Sequence, residues 1–325
     1  MENIIYIKKL DDYDEIINCK LKLSLTLKKI IFLYKNIFNI ITKQSKDEFN
    51  IWVLPFQEKI SDNKLNKIID KQIKRYKITE NTRLVVSKSL LSKNMTDILR
   101  KYNINYFNGN LIKKILIFKV LDYINNLQNK ELNKRNITIL VNEDNNINKY
   151  IIKNIALNSK TTKIVSKKIN KFKALEEELY NEYGVAIQFS NSNKKSLSKS
   201  EIIINLDFDE VEVNEYDINN NAIIINTKNS LKVKSKLFNG IVINSYEIKF
   251  LQKLKNKFNN NNLLHRYDNL ILYESIIDWK NANDKNIIEK IEEDNIKIIN
   301  LIGNNGIINK KEFKIIENKN VENIV

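Results

Sequence analysis

The feature that most constrains the fold of this chain is an alternation of short β-rich runs with longer amphipathic helical patterns. The first part carries strand-like runs at residues 3–7, 49–54, 83–87 and 104–107. The second part carries them at residues 137–141, 163–166, 185–189, 201–205, 222–226 and 240–244. Strands that alternate with helices form mainly parallel sheets covered by helices. The pattern therefore predicts an α/β fold with two α/β domains.

A polar stretch at residues 129–136 marks the expected boundary between the two domains. It follows a long helical pattern whose apolar face includes Ile112, Val120 and Ile124. We predict an N-terminal α/β domain over residues 1–130, which ends in this linking helix, and a second domain over residues 131–248. For residues 249–325 we predict C-terminal helices that pack on one or both domains, with a frayed tail after Phe313. The helical patterns of this last part cover residues 246–258, 268–279 and 284–302.

Four groups of residues in the second predicted domain follow one another in an order typical of a nucleotide-binding fold. They are Ile137–Val141, Thr162–Lys168 with Lys173–Leu175, Ser198–Asn205, and the pair Asn220–Asn226 and Asn239–Asn244. This series resembles the nucleotide-binding domain of the shikimate dehydrogenase and glutamyl-tRNA reductase group, over roughly a third of the chain. The resemblance implies a Rossmann-like, doubly wound, mostly parallel sheet.

The loop after the first strand of this series departs from the dinucleotide-binding pattern. The three glycines of that pattern allow a tight turn, close approach of the pyrophosphate and close helix packing. This chain has Asn142, Asp144 and Ile147 at the matching positions. Asn142 tolerates a left-handed turn, but Asp144 and Glu143 bring negative charge to a helix N-terminus where a phosphate would bind. The sequence therefore disfavours conventional NAD(P) binding, and we expect no cofactor.

Five residues remain candidates for lining a ligand crevice at the carboxyl ends of the predicted strands. They are Asn142, Asp144, Ser166, Lys167 and Asn205. In the related group, NADP-preferring members place a basic residue after the second strand, where Lys167 and Lys168 stand. The alternative to an empty crevice is therefore NADP, although solvated lysines are the favoured interpretation in a chain this rich in lysine.

Catalytic constellations are sparse. The single histidine, His265, excludes multi-histidine metal sites within one chain. The single cysteine, Cys19, excludes an internal disulfide and lacks the residues that surround a nucleophilic cysteine, so we expect it to be structural. Asp207 and Asp209 follow a predicted strand and suit metal or acid–base chemistry, but solvated loop carboxylates are the favoured interpretation. We assign no catalytic residue and no metal site.

The net charge of +16 suggests an anionic partner such as nucleic acid. The lysines are nevertheless spread along the chain, which favours solvated faces and leaves nucleic acid a less favoured partner. A protein partner or a homo-oligomer is compatible with the sequence. The chain begins without a basic leader and apolar stretch, and its apolar helices contain lysines, so we expect a cytoplasmic protein without a membrane segment.

Three functions are compatible with these observations. The leading hypothesis is a non-catalytic binding or scaffolding component built on a degenerate Rossmann-like domain. The second is an NADP-dependent oxidoreductase of the shikimate dehydrogenase and glutamyl-tRNA reductase type with an altered phosphate loop. The third is a basic protein associated with nucleic acid. Binding of NADH or NADPH separates the first two, and a steep salt dependence of DNA binding supports the third.

Overall fold

A computed structural model describes most of the chain, and Cys19 lies outside the described residues. The described ranges are 3–10, 12–16, 23–46, 49–56, 61–76, 82–90, 93–191, 193–228, 230–260, 263–277 and 284–322. Two compact units divide the chain, and each is discontinuous. The first unit combines Met1–Gly109 with Leu251–Ile277, and the second combines Asn110–Phe250 with Asp278–Val325.

The regular elements are as follows. The strands are β1 (Asn3–Lys9), β2 (Thr42–Lys46), β3 (Phe49–Leu54), β4 (Thr82–Val86), β5 (Asn105–Tyr106), β6 (Asn136–Leu140), β7 (Thr161–Val165), β8 (Gln188–Ser190), β9 (Ile202–Asn205), β10 (Ile223–Asn226), β11 (Ile241–Ile243), β12 (Ser245–Lys249), β13 (Lys297–Gly303) and β14 (Gly306–Ile307). The helices are α1 (Leu25–Ile37), α2 (Asp62–Tyr76), α3 (Lys93–Lys101), α4 (Asn110–Ile115), α5 (Ile117–Gln128), α6 (Asn146–Asn158), α7 (Lys173–Tyr183), α8 (Glu210–Val213), α9 (Gln252–Asn260), α10 (Asn269–Ile276), α11 (Asp284–Glu293) and α12 (Lys310–Glu322).

The sheet of the first unit has the strand order β2-β3-β1-β4-β5. Strands β3, β1, β4 and β5 are parallel, and β2, which the sequence pattern did not predict, pairs antiparallel with β3 at the edge. Alternate side chains such as Ile5, Ile7, Leu84 and Val86 enter one core cluster with apolar residues of α2 and α3. The period of two in these strands therefore places one face of the sheet under helices.

The sheet of the second unit confirms the predicted doubly wound fold. Its strand order is β11-β10-β9-β6-β7-β8, and every pair in it is parallel. Starting at β6, the chain adds β7 and β8 on one side and then β9, β10 and β11 on the other, which is the order of Rossmann-like folds. Strands β9 and β10 are buried along their whole length, as expected for central strands covered on both faces.

The predicted helices of the last part of the chain are partly wrong. Residues 245–249 form β12, and residues 297–303 form β13, which pairs antiparallel with β12 and with β14. Tyr246 and Ile248 are buried while Glu247 is exposed, so the apolar residues follow a period of two. Helix α11 ends at Glu293, and Asn295 then adopts a left-handed conformation that turns the chain into β13.

The predicted frayed tail is also wrong for the described residues, since Lys310–Glu322 forms α12. Phe313 and Ile316 are buried, and the buried Gln128 side chain donates a hydrogen bond to the Phe313 carbonyl at 2.7 Å. Helix α12 packs on α5 within the second unit. The compact units thus group α4 and α5 with the second unit, whereas we placed this linking helix in a first domain ending at residue 130.

Two further features of the described chain bear on its surroundings. No described helix combines the length and apolar character that a membrane crossing requires. Gly184 ends α7 in a left-handed conformation, as the sequence predicted.

Candidate functional site

The site lies where the strand order of the second sheet reverses, between β6 and β9. In open α/β sheets, ligands bind outside the carboxyl ends of the strands at such a reversal. Residues 141–145 connect β6 to α6 there, and residues 206–209 connect β9 to α8. We call these two loops, together with the side chains at the neighbouring strand ends, the switch-point crevice.

Asp207 reaches from the end of β9 to the loop after β6. The N–H of Asn142 donates to Asp207 Oδ1 at 2.7 Å, and the N–H of Glu143 donates to Oδ2 at 2.7 Å. Asp207 is 5% exposed. In dinucleotide-binding folds, the backbone N–H groups of this turn and of the following helix face the pyrophosphate. In this chain a carboxylate of the protein occupies those donors.

Burial raises the pKa of the Asp207 carboxyl above its ordinary value, because a charged carboxylate loses hydration inside the protein. The N–H groups of Glu143 and Asn142 and the positive charge of Lys114 oppose this shift. The raised pKa indicates that the cost of removing Asp207 from water exceeds the gain from these partners. The sequence-based expectation that Asp207 is a solvated loop carboxylate is therefore wrong.

Asn148 and Lys114 extend the hydrogen-bond network around this carboxylate. The buried Asn148 side chain donates from Nδ2 to the Glu143 carbonyl at 2.7 Å, and it accepts from Lys114 Nζ at 3.0 Å. Asn148 Nδ2 also lies 3.5 Å from Asp207 Oδ2. Burial lowers the pKa of Lys114, and the charges of Asp207 and Glu143 oppose that shift. The network connects α4, α6 and the loops after β6 and β9.

The Asn142 side chain joins the ends of β6 and β7. Its Oδ1 accepts hydrogen bonds from the Lys167 N–H at 2.9 Å and from Ser166 Oγ at 3.4 Å. The buried Ser166 Oγ in turn accepts from the Lys168 N–H at 2.9 Å. Asn142 is not among the left-handed residues of the described chain. The turn is therefore held by side-chain hydrogen bonds in an ordinary backbone conformation.

Asp144 lies at the outer side of the crevice, with a side chain that is 40% exposed. Its carboxylate is 3.6 Å from Lys171 Nζ and 3.9 Å from Lys149 Nζ. The neighbouring Asn145 caps α6, because its Oδ1 accepts from the Asn148 N–H at 2.9 Å. One donor at the N-terminus of α6 is therefore already satisfied by a side chain.

Lys167 is engaged by two acidic residues. Its Nζ donates to Glu212 Oε1 at 3.0 Å and lies 3.8 Å from Glu215 Oε2. The hydrogen bond to Glu212 raises the pKa of Lys167. Glu212 also forms a reciprocal capping box with the exposed Asp209 at the start of α8. The expectation of an exposed loop carboxylate is thus confirmed for Asp209.

Three asparagines close the adjoining part of the crevice, at the carboxyl ends of β9, β10 and β11. Asn205 Nδ2 donates to Asn226 Oδ1 at 2.9 Å, and Asn226 Nδ2 donates to Asn244 Oδ1 at 2.8 Å. Asn205 also bonds to the carbonyl and N–H of Phe208, and Asn244 to both backbone groups of Leu231. The three side chains are buried. We call this row the asparagine ladder.

The structure thus brings Asn142, Ser166 and the Lys167 backbone together, and it places Asn205 in the ladder and Asp144 at the outer side. Sequence reasoning missed the role of Asp207. It also missed Lys114, Asn148, Asn226 and Asn244. A signal for the ladder was present, because the three strand regions read Ile-Ile-Ile-Asn, Ile-Ile-Ile-Asn and Ile-Val-Ile-Asn.

The chemistry open to these groups is limited to hydrogen bonding and charge. The described residues contain no group of histidine, cysteine, aspartate and glutamate side chains that would hold a metal ion. His265 lies exposed in a turn of the first unit. The groups of the crevice described above take partners within the protein, which makes the crevice a closed polar junction between loops.

Comparisons with known proteins give distant similarities of fold. No protein-family model matches the chain, and no curated protein matches it in sequence. L-tryptophan dehydrogenase from Nostoc punctiforme superposes with a TM-score of 0.32 and 9% identity, over 99% of this chain and 88% of that one. The dipicolinate synthase polypeptide from Bacillus halodurans gives a TM-score of 0.32 and 10% identity, over 69% and 81%. At these TM-scores a similarity carries no inference about ligand or reaction, and the fold assignment rests on the strand order.

Proposed function

We propose that the second unit is a Rossmann-like module closed to dinucleotides, and that the protein is a non-catalytic binding or scaffolding component. The observation that carries the proposal is the Asp207 carboxylate, which accepts from the N–H groups of Asn142 and Glu143. An internal anion on these donors removes the feature that a dinucleotide pyrophosphate needs at this position.

A pyrophosphate would have to displace Asp207 to reach the same N–H groups. The displaced carboxylate would lose two hydrogen bonds while 5% exposed, which is costly for a buried charge. The ligand would also meet the negative charges of Glu143 and Asp144 beside the N-terminus of α6. Both effects oppose binding of a phosphate at the loop.

The groups expected to hold the remainder of NADP are engaged as well. The Lys167 ammonium, the candidate partner of a 2′-phosphate, is paired with Glu212 and Glu215. The Asn205 side chain is buried in the asparagine ladder and satisfied by Asn226 and Phe208. These contacts favour the scaffolding interpretation over the oxidoreductase alternative.

Isothermal titration calorimetry of the full chain with NAD⁺, NADH, NADP⁺ and NADPH tests the proposal. We expect no dissociation constant below about 1 mM for any of the four, because the loop donors are occupied. A micromolar dissociation constant for any one of them would overturn the proposal. A protein with an intact glycine-rich loop, titrated under the same conditions, serves as the positive control.

The variant Lys167→Glu separates the two interpretations further. If NADP⁺ binds to the wild type and Lys167→Glu weakens it while NAD⁺ binding is unchanged, Lys167 reads the 2′-phosphate and the oxidoreductase alternative is supported. Lys194→Glu is the matched control, because Lys194 is also an exposed lysine of the second unit with an acidic neighbour, Asp217.

A further inference from the structure

Helix α1 of the first unit presents an apolar face to solvent. None of its residues is buried, although it has a positive mean hydropathy over thirteen residues. The side chains of this face are each between 48% and 71% exposed, and they are Leu25, Leu27, Ile30, Leu33, Tyr34, Ile37 and, at the C-cap, Phe38. We call these seven residues the α1 face. Other exposed large apolar residues in the described chain are more scattered, so the α1 face is the concentrated patch that marks an interaction surface.

The orientation of α1 is opposite to that of an ordinary amphipathic surface helix. Its half-buried inner side carries Phe32, Lys28 and Lys35. Phe32 packs edge to face on Tyr13, Lys28 bonds to the Asp14 carboxylate, and Lys35 Nζ donates to Thr42 Oγ1 at 2.8 Å. These contacts fix the rotation of the helix, so the apolar side chains cannot turn inward without breaking them. The exposure of the α1 face is therefore a consequence of named contacts.

The area and the charge of the α1 face indicate what covers it. Seven side chains that expose about half or more of their surface offer roughly 800 Å² per copy, the share of one partner in a standard interface. Among the described residues on the outward side, only Lys29 carries a charge. A second identical face is uncharged, apolar and of matching size, which is what a self-complementary two-fold interface requires.

An anionic membrane fits the α1 face less well. Membrane-binding helices surround their apolar face with free basic side chains. Here Lys28 and Lys35 point to the protein side, and Lys71 Nζ donates to the Phe38 carbonyl at 2.6 Å at the end of the helix. The lysines near the helix are used within the unit, which favours an uncharged protein face over a lipid surface.

We propose that the chain forms a two-fold symmetric dimer in which the α1 faces of two copies pack antiparallel. The antiparallel arrangement sets the two helix dipoles in opposite directions and brings the middle of each face, near Leu33, close to its symmetry mate. This inference depends on the first unit and is independent of nucleotide binding by the second.

Sedimentation equilibrium and light scattering of the full chain test the dimer. We expect a mass of twice 38.4 kDa at micromolar concentration. Ile37→Glu is expected to raise the dimer dissociation constant at least about tenfold, because each interface then buries two carboxylates without partners. Ile307→Glu is the matched control: Ile307 is 65% exposed and Ile37 is 71% exposed, but Ile307 lies in the second unit. This control is expected to leave the dimer unchanged.

Cross-linking provides a measurement that does not depend on a destabilising charge. Leu33→Cys, combined with Cys19→Ser, should be joined to its copy by a short bis-maleimide, whereas Ile307→Cys in the same background should not. A monomeric wild type, or a dimer that Ile37→Glu leaves equally tight, would overturn the proposal. Sedimentation of a monomeric wild type with phosphatidylserine vesicles, lost in Ile37→Glu, would overturn it in favour of a lipid surface.

Discussion

Asp207 lies two residues beyond the end of β9, between the buried Leu206 and Phe208. These apolar neighbours anchor the loop in the core, and the carboxylate is thereby held against the N–H groups of Asn142 and Glu143. The loop after β6 thus has no need of an external anion to satisfy its donors. A single carboxylate accounts for how this loop is satisfied without the glycines of a phosphate-binding turn.

Removal of this carboxylate should destabilise the protein. In Asp207→Ala the two loop N–H groups lose their acceptor in a buried position, and we expect the free energy of unfolding to fall by about 1–3 kcal/mol. Urea unfolding followed by circular dichroism measures the change. Asp217→Ala is the control, because the exposed Asp217 makes a 3.7 Å ion pair with Lys194 and should matter little. Formate, a small carboxylate, should stabilise Asp207→Ala more than Asp217→Ala; equal effects would contradict the role assigned to Asp207.

The pH dependence of the same variant follows from the raised pKa of Asp207 in the folded protein. Folding then favours the protonated form, so the stability that Asp207 contributes is full below the ordinary value of 3.8. It decreases as the pH rises through the raised pKa. The difference in unfolding free energy between wild type and Asp207→Ala should fall over this window and then stay constant. A difference that grows with pH would mean that the N–H groups and Lys114 outweigh burial.

At the scale of the elements, the asparagine ladder ties three parallel strands together beyond their backbone pairing. Asn226 lies at its centre, fully buried between Asn205 and Asn244. Amide side chains both donate and accept, so a row of them satisfies itself without water or ligand. The ladder therefore replaces, in this half of the sheet, the polar groups that would otherwise be available to a ligand.

Asn226→Ala should be strongly destabilising. It leaves Asn205 Nδ2 and Asn244 Oδ1 each without the bond to Asn226, and it opens a small cavity. We expect a loss of about 2–4 kcal/mol in the free energy of unfolding. Asn220→Ala is the control, since Asn220 is exposed in the preceding turn. A loss in Asn226→Ala no larger than that in the control, in the same thermal or urea experiment, would show that the ladder contributes little to stability.

The elements of the second sheet could be predicted from local pattern, whereas β12 and β13 could not. Strands such as β6 and β9 are short apolar runs bounded by polar residues, which identify buried parallel strands. Residues 284–302 contain apolar residues at spacings compatible with both a helix and a strand. Pairing with β12, some fifty residues earlier in the chain, decides in favour of a strand over 297–303.

At the scale of the whole molecule, each compact unit is assembled from two separated stretches of chain. In the first unit, Tyr6 of β1 packs on the Tyr267 ring and bonds to Ser275 Oγ at 2.8 Å. The buried Glu274 carboxylate accepts from the Gly109 N–H at 2.6 Å. Residues 251–277 are therefore part of the core of this unit.

A fragment of residues 1–130 should not fold like the intact first unit. It lacks the partners of Tyr6 and Gly109, and it exposes apolar surface that residues 251–277 bury. We expect no cooperative unfolding transition by calorimetry, and partial restoration when a peptide of residues 251–277 is added. A peptide of residues 284–322, from the second unit, is the control. A cooperative transition in the fragment alone would contradict the assignment of residues 251–277 to the core of the first unit.

The sequence by itself determined the α/β class, the parallel strands from β6 to β11 and the loss of the glycines after β6. These features depend on the period and type of neighbouring residues, which the sequence displays directly. Only the tertiary structure decided that Asp207 occupies the loop donors, that three asparagines join across strand ends, and that α1 turns its apolar face outward. Each of these depends on which distant segment supplies a partner or covers a surface, and the energy of a buried polar or apolar group is set by that partner.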